Sequence, residues 1–196
     1  MKFEVFKFEK VTSTNDAAIN LIREKNKMIG CVYSETQTKG RGTNGKKWVS
    51  NKGNLFVSIF FPLKKNCPSF REFAIINPII ISNIIKKFCK KKKLKLKFPN
   101  DIFLNKKKIC GILQEIITLN KRKFLIIGIG ANLVSNPKIK NNYEATNIFF
   151  ETKNKPKTKE LISSIILSYE RFFKNLNSYE FKYFKNKAEK MSFNII

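Results

Sequence analysis

LKLKFPNDIFLNKKKICGILQEIITLNKRKFLIIGIGANL, residues 94 to 133, decides the fold class. LKLKF (94–98) alternates apolar and charged residues, the period of a half-buried strand. PND (99–101) is a turn. FLNKKKICGILQEI then reads as a hairpin that turns around Asn105 to Lys107 and returns through residues 109–117. After a polar turn at 119–122, KFLIIGIGANL is a further strand. Links this short join antiparallel neighbours, because a parallel neighbour needs a crossover of a dozen or more residues.

Upstream, residues 3 to 11, MIGCVYSET (28–36) and NLFVSIFFPL (54–63) read as strands, the last stopped by Pro62. TSTNDAAINLIREKN is a short helix: Ser13 and Asp16 have capping-box spacing, and Ala17, Ala18, Leu21 and Ile22 form an apolar face. Residues 71 to 93 form a buried helix, with Pro78 in its first turns or kinking it, and with lysines at the negative end of its dipole. Residues 134 to 157 are a polar loop. Residues 158 to 176 are a helix on the spacing of Leu161, Ile165, Tyr169, Phe172 and Leu176, and a second short helix follows. The pattern predicts an α+β fold with a mixed, largely antiparallel sheet backed by helices.

Composition narrows the function classes. The chain has 196 residues, 42% of them hydrophobic, which predicts one domain with a sizeable core. No apolar run approaches the roughly 18 residues that span a membrane, and the N-terminus has no signal-peptide pattern. The net charge is +26, yet only five of the 40 basic residues are arginine and the lysines are scattered. A nucleic-acid surface clusters its charge and favours Arg for bidentate contacts. Scattered lysine fits a coding bias better, and it leaves a field that attracts anionic ligands and acidic proteins. There is no histidine, and Cys31, Cys67, Cys89 and Cys110 form no CxxC pair. Cys/His zinc sites and His-dependent nucleophilic catalysis are therefore excluded. The cysteines are expected reduced, in a cytoplasmic compartment.

GRGTNGKKW (40–48) begins as a near-match to the phosphate-binding pattern G-x-x-x-x-G-K, but Lys47 stands where Ser or Thr should hold magnesium. The following WVSNKGNLF runs into a strand, so the helix that a P-loop requires is missing. Three glycines still let backbone approach an anion closely, and Arg41, Lys46 and Lys47 add charge. On residues alone, this is a basic loop that closes over a phosphate-bearing ligand, or a basic hairpin turn.

STN (13–15), ETQTKGRGTNGKKW (35–48), KFPNDI (97–102), KKKICGILQE (106–115) and GIGANL (128–133), in this order and spacing, resemble biotin–protein ligases over roughly residues 3 to 150. The resemblance implies a catalytic domain related to class II aminoacyl-tRNA synthetases. It implies an enzyme that joins biotin to ATP as biotinoyl-5′-AMP, releasing pyrophosphate, and passes biotin to a lysine of a biotin carboxyl carrier protein. ATP, biotin and Mg2+ are then the small molecules, with no tightly bound cofactor. It also implies that Ser13, Thr14, Asn15, Gln37 and Thr43 line the biotin pocket. Arg41, Gly42 and Lys108 face the biotin carboxylate and the phosphate. Gly40, Gly42, Trp48, Asn100 and Asn132 lie on the nucleotide side, with Trp48 packing on adenine. Asp101 assists the incoming amine or binds magnesium; the sequence leaves both open.

Two positions depart from the family pattern. Thr43 stands where a second arginine is common, so weaker retention of the adenylate is expected, and Phe98 replaces a tryptophan before PND. The expected organisation is a single catalytic domain over 1–196, without an N-terminal helix-turn-helix or a C-terminal SH3-like domain. The expected carrier is a biotin-dependent carboxylase's, with no specific DNA binding and no membrane; a homodimer stays open. The competing readings are a lipoate–protein ligase or octanoyltransferase of the same fold, and a non-catalytic basic nucleic-acid-binding module.

Overall fold

A computed structural model describes residues 1–89, 93–137 and 144–192. The lysines at 90–92, expected to end a helix, and residues 138–143 of the expected polar loop lie outside the described residues. In chain order the elements are β1 (Glu4–Val11), α1 (Thr14–Lys25), β2 (Gly30–Gln37), β3 (Leu55–Pro62), α2 (Phe70–Lys86), β4 (Leu94–Lys97), β5 (Asp101–Leu104), β6 (Lys107–Leu119), β7 (Arg122–Ala131), α3 (Ile148–Thr152), α4 (Thr158–Lys174) and α5 (Phe181–Met191). Among the described residues the strands form one sheet in the order β1-β2-β3-β7-β6-β5-β4. β1 and β2 run parallel, joined through α1, and every other neighbouring pair is antiparallel. This is the mixed, largely antiparallel sheet that the sequence predicts.

The two hairpin turns are built alike. Asn105 and Lys106 have φ of 50° and 61°, and Asn120 and Lys121 have 49° and 63°. Two successive positive φ values make the primed turn whose twist suits a tight hairpin, and Asn enters that region more readily than most residues.

Register decides what each sheet face sees. Leu125, Ile127 and Ile129 of β7 pack with Val57 and Ile59 of β3 and with the apolar sides of α2 and α4 in the main core. Phe124 and Ile126 point to the opposite face and pack with Val32, Phe60 and, from α1, Ala18 and Ile22. Further along that face the residues become Gly128 and Gly130 on β7 and Asn132 just beyond its end. Their β6 partners are Leu113 opposite Gly128 and Gly111 opposite Gly130. The large apolar side chains thus stop where the cover of α1 stops, and the bare remainder of the face floors a cavity.

Several details differ from the sequence expectation. Pro78 lies inside the helix as expected, in the middle of α2 and not in its first turns, and the helix ends at Lys86. Asp101 opens β5 instead of sitting within the turn. The 134–157 stretch contains the short helix α3, whose start is capped by Asn147 accepting from the Phe150 N–H at 2.8 Å. A five-residue helix is too short to display a period.

Candidate active site

The cavity on the bare face has a volume of about 390 Å3. Three regions brought together by the sheet build it: the N-terminus of α1, the loop between β2 and β3, and strands β5 to β7.

The α1 side is a network of neutral hydrogen-bonding groups. Ser13, Thr14 and Asn15 are all buried. Ser13 caps the helix, its hydroxyl accepting from the Asp16 N–H at 3.4 Å. The reciprocal half of a capping box is missing, because the Asp16 carboxylate is turned to Arg41. Gln37 accepts from the Thr14 N–H at 2.8 Å and donates to Ser50 at 2.9 Å. Ser58, fully buried on β3, lies 2.6 Å from Asn15 Oδ1 and 2.8 Å from Thr14 Oγ1. Asn15 Nδ2 in turn donates to Glu115 at 2.7 Å. Asn15 needs the space above Gly128: a Cβ there would come within 2.4 Å of Asn15 Oδ1.

The loop folds back over the floor. Gly42 N–H donates to Lys46 O at 2.6 Å and Trp48 N–H to Gly40 O at 2.8 Å. The Trp48 indole lies on β6 and β7, where only glycine leaves room. A Cβ on Gly130 would come within 2.4 Å of the ring and one on Gly111 within 2.8 Å. Lys108 Nζ stands 5.5 Å from the same ring's centroid, within cation–π range. Lys108 also pairs with Asp101 at 2.7 Å, both side chains largely buried. Asn100 ties its turn to β6 by donating to Ile112 O at 3.2 Å, and its amide also lies 3.5 Å from the Thr43 hydroxyl. Asn132 donates to Thr146 O at 3.0 Å.

Of the residues expected at the site, Ser13, Thr14, Asn15, Gln37, Arg41, Gly42, Thr43, Trp48, Asn100, Asp101, Lys108 and Asn132 all line this cavity. Gly40 does not. It is buried behind the loop, where a Cβ would strike Trp48 O, so it serves loop geometry. Arg41 lines the cavity, but its guanidinium is taken up by carboxylates: bidentate to Glu115 at 2.7 and 2.8 Å, and to Asp16 at 2.7 Å. The Glu115 hydrogen bond is the main influence that raises the Arg41 pKa above its ordinary value. Glu115, Asp16 and Ser58 are the participants that sequence reasoning missed. Ser58 carries a readable signal, as the lone polar residue in LFVSIFFP.

The chemistry available here excludes some routes. None of the four cysteines lines the cavity. Burial raises the Cys31 pKa to about 12, and burial first, then the Asp101 charge, pushes Cys110 up as well. A thiolate intermediate therefore has no candidate. Among the described residues no group of three or more His, Cys, Asp or Glu side chains is placed to hold a metal. Asp101, the metal candidate of the sequence, is already engaged by Lys108, so the donor set does not make a Mg2+ cage. No helix among the described residues is long and apolar enough to cross a membrane.

Residues 5–132 match the profile of the biotin/lipoate A/B protein ligase family. The chain belongs to this family. Among curated members, the bifunctional ligase/repressor BirA of Escherichia coli is 30% identical over 125 residues, covering 63% of this chain and 38% of the relative. Biotin–protein ligase 2 of Arabidopsis thaliana is 30% identical over 172 residues, covering 83% of this chain and 50% of the relative. The chain thus spans half or less of the length of these family members. Two solved ligases of the family superpose on nearly the whole chain. The biotin protein ligase of Aquifex aeolicus in complex with biotin and ATP has a TM-score of 0.79 at 26% identity, covering 96% of this chain and 78% of that one. The ligase of Leishmania major in complex with biotinyl-5-AMP has a TM-score of 0.82 at 26% identity, covering 97% and 81%.

Proposed function

We propose that this chain is an ATP-dependent biotin–protein ligase. It would activate biotin as biotinoyl-5′-AMP and transfer it to a lysine of a biotin carboxyl carrier protein. The observation that carries the reading is a single cavity with two chemically different sides. Thr14, Asn15 and Gln37 offer neutral donors and acceptors on one, backed by the buried Ser58 hydroxyl. Lys46, Lys47, Lys108 and the Trp48 ring belong to the other. The family profile also covers lipoate ligases. A ureido ring matches the neutral network, because each of its polar atoms needs a partner when buried. The dithiolane of lipoate carries no N–H or C=O to use it.

The reaction follows from charge. A biotin carboxylate oxygen attacks the α-phosphorus of ATP, the bond from that phosphorus to the bridging oxygen breaks, and pyrophosphate leaves. Two anions must approach, and lysine ammonium groups with loop N–H donors reduce the repulsion and stabilise the transition state. Lys108 is our candidate for the cation nearest the reacting atoms, and Asp101 orients it. In the second step the carrier amine attacks the acyl carbon, the bond to AMP breaks, and the nitrogen loses a proton. The adenylate is itself the activated species, so no enzyme nucleophile is needed. Trp48 supplies a face for the adenine and Asn132 a polar neighbour. Mg2+ would arrive with the ATP phosphates, which is its usual mode with nucleotides. The cytoplasm is the proposed compartment, in keeping with four free cysteines.

The test mixes the protein with ATP, biotin and an apo carrier domain and measures intact mass and streptavidin capture. One biotin on one carrier lysine is expected. Modification with lipoate instead, or none with either acid, overturns the proposal.

A further inference from the structure

The Arg41 guanidinium faces two carboxylates, Glu115 and Asp16. One positive charge among two negative ones leaves that spot net negative, an unfavourable place for a phosphate. The sequence nevertheless marks Arg41 as an anion-facing cation. Its surroundings assign it different work. Glu115 grips both terminal guanidinium nitrogens, Nη1 and Nη2, of the loop residue. The same carboxylate accepts from Asn15 Nδ2 at 2.7 Å. One side chain on β6 therefore joins the loop to the buried N-terminus of α1. Asp16 on α1 closes the triangle from the other side. Trp48 lies seven residues beyond Arg41, so the clasp also bears on where the indole lands.

We propose that Glu115 is a positioning residue. Through Arg41 it holds the β2–β3 loop closed over the glycine floor, and through Asn15 it ties that closure to the neutral side of the cavity. Arg41 then acts as a strut, and the loop cations that line the cavity beside it are Lys46 and Lys47. This rests on the ligase reading for its kinetic consequence but not for its structural one.

The test compares wild type with Glu115→Gln, Asp16→Asn, Arg41→Gln and the Arg41→Gln/Glu115→Gln double variant. In ligand-free protein, tryptic cleavage after Lys46 and Lys47, sites that every variant keeps, is timed by mass spectrometry, and the emission of the sole tryptophan is recorded. Glu115→Gln is expected to be nicked about ten-fold faster, the lower end for charge-assisted hydrogen bonds that are partly exposed. Its Trp48 emission should shift while the melting temperature stays close to wild type. Asp16→Asn, which removes one contact, gives a smaller change in the same direction. The double variant is nicked no faster than either single one. In pyrophosphate exchange, kcat/KM for ATP falls about ten-fold in Glu115→Gln, mostly through KM. Unchanged nicking and emission, or additive effects of the two substitutions, overturn the proposal. Should Glu115→Gln fail to fold, the nicking and emission of Asp16→Asn decide alone. An inactive wild type would defeat the ligase reading, whereas nicking and emission decide for or against the clasp whatever the activity.

Discussion

On the proposed ligase reading, Thr43 bears on how long an activated intermediate stays bound. It lines the cavity with its hydroxyl within 3.5 Å of the Asn100 amide, at the position where the resemblance leads one to expect an arginine. With Arg41 held by carboxylates, the loop has less free positive charge than its sequence suggests. Thr43→Arg is therefore expected to retain biotinoyl-adenylate roughly ten-fold longer, the worth of one charge-assisted hydrogen bond. A chase with unlabelled adenylate, timed for release of the labelled one, measures it. Equal release times in both proteins would contradict this expectation. At this scale the sequence is informative about identities and less so about pairings. STN, GRGTNGKKW and PND mark residues that do meet in one cavity. Nothing local shows that Glu115, 74 residues beyond Arg41, would claim its guanidinium, because that contact exists only once β6 lies beside the loop.

At the scale of elements, β6 and β7 do the shaping. On β7 the face that carries Phe124 and Ile126 under α1 carries Gly128 and Gly130 beyond it, and the Trp48 ring fills the space that a side chain at 130 would take. A Cβ there meets the far end of a side chain, so the indole should move and the sheet should stay. Gly130→Ala is expected to shift the emission of the sole tryptophan and weaken ATP binding by about five-fold or more, a displacement cost of roughly 1–3 kcal/mol for overpacking. Fluorescence and ATP titration check this, with the far-UV spectrum unchanged; unaltered emission and affinity would contradict it. The strands and both Asn-Lys turns are legible beforehand, since alternation and turn chemistry are local. Pro78 inside a helix over 71–93 is also expected from the sequence, but its place in the middle of the helix is set by tertiary contacts rather than by local propensity. The Pro78 turn is buried, and Asn77 beside it bonds Gln114 of β6 and the Tyr169 hydroxyl of α4 at 2.6 and 2.8 Å. α3 escapes because a short capped helix leaves no period.

Over the whole molecule, the helices divide between the two sheet faces, and the division creates the site. α2, α4 and α5 contribute to the main core behind the sheet, and α1 covers part of the other face. The remainder stays open for ligands. The net charge of +26 adds a field that draws anionic nucleotides toward any cavity in its surface. Membership in the biotin/lipoate family fits this architecture, and the neutral network around Asn15 argues for biotin. The measurement that reaches this claim most directly is exchange of labelled pyrophosphate into ATP, run without any carrier protein. The predicted result is exchange that requires biotin and is not supported by lipoate. No exchange with biotin, or exchange driven by lipoate instead, would contradict it.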